Sequence, residues 1–247
     1  MISSIYLHLT SQCNMQCRYC YMDRPYGELA LQDWMTFFDQ IANSPPEKIV
    51  ITGGEPIMYP GFFDITEYCK LKMSDCSLQL MTNGTFVTSE NAHRFTMFDE
   101  VRISIDGNEE NTDLLRGKGC AKKAIEALKA LRRENVNVTA SVTVMPDSGF
   151  TMTEIAKQVR MMGFNHVCLH PVKKVGKAKE LLAGQKENCM LEDNCGVGQY
   201  LNLMPDGSAF PCHVLCTPDY YLGNVITDGY REVCNNLAEI SRASVTG

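Results

Sequence analysis

The sequence predicts an α/β fold: a parallel sheet built from repeated strand and helix units, followed by a small cysteine-rich hairpin and helix. Three observations predict it. Short runs rich in Ile, Val and Leu alternate with longer stretches of helical period. Glycine, cysteine or polar residues gather directly after each run. Beyond residue 175 the alternation gives way to a segment holding five of the twelve cysteines. Strand and helix in alternation pack as right-handed crossover units on a parallel sheet.

The elements follow in order. "SIYLHL" (4–9) reads as the first strand and "LALQDWMTFFDQIA" (29–42) as the first helix. "KIVIT" (48–52) is the second strand, and "PGFFDITEYCKLK" (60–72) the helix after it. "SLQLMT" (77–82) and "EVRISI" (100–105) are strands, with "SENAHRFTMF" (89–98) expected as a helix between them. In "GCAKKAIEALKALRRE" (119–134), Ala121, Ala124, Ile125, Leu128 and Leu131 share one helical face. "VNVTASVTV" (136–144) and "HVCLH" (166–170) flank the helix "TMTEIAKQVRMMG" (151–163). Six such units span residues 3 to 175, which suits a partial barrel or a doubly wound sheet. The lysine-rich "VKKVGKAKELLAGQKE" (172–187) reads as a solvated connector or a last barrel helix. "QYLNLMPDGSAFPC" (199–212) reads as a β-hairpin turning at "PDG".

The residues after each strand are "TSQCNMQCRYC", "TGGEP", "TNGT", "SIDGN", "MPDSG" and "HPVKK". In barrels and open parallel sheets the carboxyl ends of the strands carry the active site. The thiols and the glycine-rich loops are therefore expected to face one mouth.

Bulk properties exclude several function classes. A chain of 247 residues allows one large domain, or one large and one small. With 45% hydrophobic and 21% charged residues it has the composition of an ordinary globular protein. A net charge of −6 offers no attraction to nucleic acid or an anionic membrane. No stretch is apolar for long enough to span a bilayer. "MISSIYLHLT" lacks a secretory signal, so the expected location is cytoplasmic, and clustered thiols there point to metal rather than disulfides.

Cys13, Cys17 and Cys20 lie within eight residues. Three thiolates can hold a cubane iron–sulfur cluster with one iron open for a further ligand. They can also form a zinc site completed by His8 or a distant cysteine. Spacing alone leaves both open.

The glycine loop adds a second pattern. "CNMQCRYC", with Tyr19 at the aromatic position, resembles the CxxxCxΦC signature of radical S-adenosylmethionine (radical SAM) enzymes, and "GGEP" at Gly53 to Pro56 resembles their methionine-amine motif. The resemblance covers the first 175 residues or so and implies a (β/α)6 partial TIM barrel, here residues 1–180. It implies a [4Fe–4S] cluster on Cys13, Cys17 and Cys20, whose fourth iron chelates S-adenosyl-L-methionine. Reductive cleavage then yields a 5′-deoxyadenosyl radical that abstracts hydrogen from the substrate. Gly53, Gly54, Glu55 and Pro56 are implied in binding the ammonium group, and the backbone beside Tyr19 in contacting adenine. Asn83, Ser104 and Asp106 stand where relatives contact ribose or carboxylate. Arg116 resembles an arginine that some relatives aim at the carboxylate. As plain residues, Asn83 and Asp106 are equally ordinary turn formers. A flavodoxin- or ferredoxin-type reductant is implied as electron donor.

The last segment, "NCMLEDNCGVGQYLNLMPDGSAFPCHVLC", resembles the start of the SPASM motif, through Cys195, Gly207 and Cys212 with Cys189 before them. A full SPASM domain continues with many more cysteines, whereas only Cys216 and Cys234 remain here. The resemblance is thus to the shortened Twitch version, residues 181–247, with one auxiliary [4Fe–4S] cluster. Its implied ligands are Cys189, Cys195 and Cys212, with Cys216 or Cys234 as the fourth. Cys69, Cys76, Cys120 and Cys168 read as packing residues. His170 and Lys173, at the end of the sixth strand, are the only candidates for a general acid or base.

The resemblance implies an oxidoreductase that crosslinks, oxidises or epimerises a residue of a peptide or protein. The alternative is dehydrogenation or rearrangement of a small sugar or cyclitol, and the third reading is a non-catalytic iron–sulfur electron carrier. The chain reads as entering the barrel by residue 4 with no recognition domain before it, so the expectation is either a separate leader-binding protein or a small substrate.

Overall fold

A computed structural model describes residues 2–22, 25–184 and 198–245. Cys189 and Cys195 lie outside the described residues. In chain order the elements are β1 (Ser4–His8), α1 (Leu31–Ile41), β2 (Lys48–Thr52), α2 (Phe62–Lys72), β3 (Ser77–Thr82), β4 (Glu100–Ser104), α3 (Glu109–Arg116), α4 (Cys120–Arg133), β5 (Val138–Val144), α5 (Met152–Met161), β6 (His166–Pro171), α6 (Ala178–Leu181), β7 (Tyr200–Leu203), β8 (Ala209–Phe210) and α7 (Tyr230–Val245). The chain divides into two compact units that interleave in sequence.

The first unit comprises Met1–Gln12, Arg24–Leu78 and Lys186–Gly247. Strands β1 and β2 pair in parallel, Ser4 opposite Lys48 and His8 opposite Thr52. On its other side β1 pairs in parallel with β7, from Ser4 opposite Tyr200 to Leu7 opposite Leu203. The hairpin expected around "PDG" forms, β8 returning antiparallel to β7. Gly207 makes its turn at φ +82°, and a Cβ there would meet the Asn224 amide at 2.9 Å. The core is Ile5, Leu7, Ile49, Ile51, Leu201 and Leu203, covered by Trp34, Phe37, Phe38 and Ile41 of α1, all buried. Those four recur at helical spacing, so one face of α1 supplies the cover.

The second unit comprises Cys13–Asp23 and Gln79–Gln185. Here β3, β4, β5 and β6 pair in parallel in sequence order. Leu80, Val101, Ile103, Ala140 and Val142 are buried beneath Ala124, Ala127, Leu128 and Leu131 of α4. Ile125, expected on that face, is only half-buried, because the stripe turns through Ala127 and Ala130 instead.

One local expectation is corrected. Residues 89–98 form no α-helix: only Ala92–Met97 coil, as a 3-10 stretch. Asn91 could cap a helix there, but its side chain accepts from the Thr88 amide and donates to the Phe86 carbonyl. Of the two readings of the lysine-rich stretch, a solvated connector or a last barrel helix, the described part favours the helix, since Ala178–Leu181 form one with a buried face. Val172, Ala178 and Leu182 are buried together, with Tyr19 and Met145 packed on them.

Candidate functional site

The cysteine loop belongs to the second unit and is held at five points along its length. Asn14 accepts from Asn83 Nδ2 at 2.9 Å and donates to Thr85 Oγ1 at 2.7 Å. Arg18 N donates to Leu115 O at 2.9 Å, which ties the loop to the last turn of α3. The Tyr19 hydroxyl donates to Asp106, and Lys177 N donates to Cys20 O at 2.9 Å. Met15 meets Cys120 sulfur to sulfur at 3.9 Å. A loop so anchored keeps its thiols in place at little entropic cost when a ligand arrives.

Cys13, Cys17 and Cys20 are reduced, in no disulfide, Cys13 exposed and the other two half-buried. Burial pushes the Cys17 thiol up to about 11, offset by the charge of Arg116 and reinforced by Cys20, Cys13 and Asp106. Among the described residues no three His, Cys, Asp or Glu side chains are grouped to hold a single metal ion. A cubane binds each thiolate at a separate iron, so its ligands need not converge on one point. Three reduced thiols on one braced loop fit that donor set.

Asn83 is buried beside this loop. Its Nδ2 lies 4.0 Å from Cys13 Sγ, while its Oδ1 accepts from Thr85 N at 2.9 Å and from Thr85 Oγ1 at 2.6 Å. Ser104 ends β4, half-buried and paired with Ser141 of β5. Asp106 and Arg116 are drawn together instead of standing apart. Arg116 Nε and Nη2 donate to Asp106 Oδ2 and Oδ1 at 2.7 and 3.0 Å. Thr143 N adds a donor to Oδ1 at 3.0 Å, and Thr112 Oγ1 accepts from Asp106 N at 3.0 Å. Burial alone would lower the Arg116 pKa, but the Asp106 charge and then Tyr19 more than reverse this. The guanidinium is therefore fixed in its charged form. Burial, partly offset by Arg116, raises the Tyr19 hydroxyl well above its usual range.

A cavity of about 250 Å³ opens in the same unit, lined by Arg18, Asp106, Thr143, Met145, Ser148, Leu181 and their neighbours. Gly176 is not among the residues to which the sequence points. At φ +55° it passes so close to the cysteine loop that a Cβ would stand 2.3 Å from Cys20 O. Its only signal was a glycine within "KKVGK". His170, on β6, has an exposed side chain, and desolvation, then Arg102, lowers its pKa. Lys173 accepts at its carbonyl from Val175 N at 2.8 Å.

The glycine motif belongs to the first unit, where it is laced to the exit of β1. Gly54 N donates to Thr10 O at 2.7 Å and Glu55 N to Gln12 O at 2.8 Å, Gln12 being the residue before Cys13. A Cβ on Gly53 would meet Thr10 O at 2.5 Å, and one on Gly54 would meet Gln12 O at 2.2 Å. Only glycine permits that approach. Glu55 is fully buried, its carboxylate accepting from Ile57 N at 3.4 Å, and Pro56 opens the 3-10 turn behind it.

The C-terminal thiols described are also in this unit. Cys216 Sγ approaches Cys212 O at 3.4 Å and receives Asn202 Nδ2 at 3.5 Å. Asn202 Oδ1 in turn lies 3.0 Å from His8 Nε2. Burial of His8 lowers its pKa to about 4, against the Asn202 hydrogen bond and with the help of His213. Cys234 lies on α7, and burial raises its thiol pKa. Cys69 and Cys76 are buried, as expected of packing residues. Among the described residues no helix is long and apolar enough to cross a membrane.

Comparison with known proteins adds to this geometry. The family model described as the Radical SAM superfamily matches residues 7–160. The chain is similar to the antilisterial bacteriocin subtilosin biosynthesis protein AlbA of Bacillus subtilis, at 23% identity over 92% of this chain and 58% of AlbA. It is similar to the sporulation killing factor maturation protein SkfB of the same organism, at 26% identity over 92% of this chain and 59% of SkfB. The chain thus spans just under three fifths of the length of these relatives. Among solved structures, native anSMEcpe with bound AdoMet and Kp18Cys peptide superposes with a TM-score of 0.78, at 19% identity over 99% of this chain and 84% of that one. That likeness shows the fold, an α/β partial barrel of mostly parallel strands, one of the two folds the alternating pattern allows and the one the resemblance implies.

Proposed function

This chain belongs to the radical SAM superfamily, whose members use a [4Fe–4S] cluster and S-adenosylmethionine, and from that membership we propose that it oxidatively modifies a residue of a peptide. The observation that carries the reading is the braced loop bearing three reduced cysteines, Cys13, Cys17 and Cys20, in the matched stretch. When bound, cluster and S-adenosylmethionine together supply a 5′-deoxyadenosyl radical that takes hydrogen from the substrate. The protein's part is to bind, orient and exclude water. Cys13, Cys17 and Cys20 hold the cluster. Gly53, Gly54 and Glu55 receive the methionine ammonium group, with Pro56 shaping the turn. Asn83 and Ser104 contact the ribose or carboxylate, and the cavity beside Arg18 and Met145 receives the adenosyl group. Asp106 and Arg116 serve the same site from behind Tyr19.

Residues 181–247 serve as a Twitch-like auxiliary domain after the barrel of residues 1–180. Its [4Fe–4S] cluster takes Cys189, Cys195, Cys212 and Cys216, and binds substrate or accepts the product electron. Support for a peptide substrate comes from the relatives' names, which speak of bacteriocin biosynthesis and killing-factor maturation, and from the peptide held by anSMEcpe. A flavodoxin- or ferredoxin-type reductant supplies the electron, and a separate protein presents any leader peptide.

The test is anaerobic reconstitution and reduction. Wild-type protein is expected to yield 5′-deoxyadenosine and methionine, and Cys17→Ala none. Deuterium is expected to pass from a deuterated peptide substrate into 5′-deoxyadenosine. Iron-loaded, reduced protein that never forms 5′-deoxyadenosine, even with substrate, would overturn the reading.

A further inference from the structure

Tyr19 lies between two cluster cysteines in sequence, yet the proposed reaction has no use for its hydroxyl. That hydroxyl donates to Asp106 Oδ2, and the Arg116 guanidinium carbon stands 5.5 Å from the ring centroid. The two charged partners are almost sealed from water, the Arg116 side chain 8% and the Asp106 side chain 1% exposed. The ring also rests on Val172, Ala178 and Leu182. Arg18 N, one residue earlier, is tied to Leu115 O, the residue before Arg116. A buried cation, a buried anion and an aromatic ring are thus built into the underside of the cysteine loop.

We propose that the Asp106–Arg116 pair, seated on Tyr19, positions the cysteine loop and sets the reduction potential of the cluster it carries. This rests on the radical SAM reading of Cys13, Cys17 and Cys20. One-electron reduction makes a cluster more negative by one charge. A nearby buried cation favours the reduced form and a nearby buried anion disfavours it. Both effects are large where water is excluded, because Coulomb energy scales inversely with the local dielectric. Intact, the pair is nearly balanced and its net field at the cluster is small. Removing either member leaves the other uncompensated.

The experiment is a redox titration of anaerobically reconstituted protein. It follows the cluster signal that is missing from Cys17→Ala, so that any auxiliary cluster is set aside. Asp106→Asn is expected to raise the midpoint potential and Arg116→Gln to lower it. Each shift should correspond to about a tenfold change in the one-electron equilibrium, or about 59 mV. The double variant should return towards the wild-type value, and Arg116→Lys, which keeps the charge, should stay near it. A purely structural role would move both single variants the same way or neither, and either result overturns the proposal. Should a single variant fail to bind iron, Tyr19→Phe takes its place. Ring and ion pair then remain while Asp106 loses one donor, its charge is less damped and the potential falls; an unchanged potential overturns the proposal. Wild-type protein that binds no iron at Cys13, Cys17 and Cys20 overturns the underlying reading as well, whereas iron-loaded protein with shifts of one sign overturns this inference alone.

Discussion

Asp106 receives both donors of the Arg116 fork, at 2.7 and 3.0 Å, ten residues away across the β4–α3 turn. The pair is buried, so its stability rests on mutual compensation. Arg116→Met is expected to cost about 3–5 kcal/mol, because it strands a carboxylate out of water. Adding Asp106→Asn to that variant should recover much of the loss. Urea unfolding of the two single variants and the double variant measures the coupling.

Gly176→Ala should disturb the cysteine loop directly. The new methyl group would stand 2.3 Å from Cys20 O and 2.6 Å from Tyr21 Cα, backbone atoms that cannot swing aside. Gly119, at φ +83° with nothing within 4 Å, is the control. Gly119→Ala carries only the backbone cost of roughly 1–2 kcal/mol. Gly176→Ala should lose about 1–3 kcal/mol more by overpacking. It should also lower iron uptake at Cys13, Cys17 and Cys20, read from visible absorbance, where Gly119→Ala does not.

Glu55→Ala tests the glycine motif. The carboxylate is fully buried and accepts from Ile57 N. On the proposed function it also receives the ammonium group of S-adenosylmethionine. Losing a charge-assisted hydrogen bond costs about 1.5–3 kcal/mol, so affinity should fall by roughly 10- to 150-fold. Iron content should change little, since Glu55 is not a ligand. Anaerobic equilibrium dialysis beside an iron assay checks both, and unchanged affinity would remove Glu55 from the site.

His8 sets a pH dependence. Burial holds its pKa at about 4, against about 6.5 in an unfolded chain. Above pH 6.5 the imidazole is neutral in both states and the native hydrogen bond to Asn202 costs nothing in protonation. Between pH 6.5 and 4 the unfolded chain binds a proton that the native state refuses, so stability falls as pH falls. The loss approaches roughly 3 kcal/mol by pH 4. Urea midpoints from pH 7 to pH 4 should show this slope, and His8→Gln should flatten it.

The auxiliary cluster is tested by iron counting. Reconstituted protein should hold about eight irons, and the triple Cys13→Ala, Cys17→Ala, Cys20→Ala variant about four. In that triple background, Cys216→Ala should release more iron than Cys234→Ala. Zinc with no iron in the triple variant would withdraw the auxiliary cluster.

Some of this was legible because it is local. The alternation of β-branched runs with helical periods marks β1 to β6 and α1, α2, α4 and α5 to within a few residues, since each strand or helix writes its own period. Helix α3, at "EENTDLLR", was passed over: it spans only eight residues, and its buried side chains are Thr112 and Arg116, which no apolar stripe announces. The cysteine triad and "GGEP" were legible because their spacing is short and their chemistry specific. What needed the tertiary structure is what joins distant residues: Tyr19 to Asp106, Gly176 against Cys20, and β7 alongside β1. No period links residue 6 to residue 202. Whether Asp106 faces a ligand or binds Arg116 is decided by the turn that folds α3 back beneath the cysteine loop. Burial there makes an unpaired charge costly enough that each charged group takes the other as its partner.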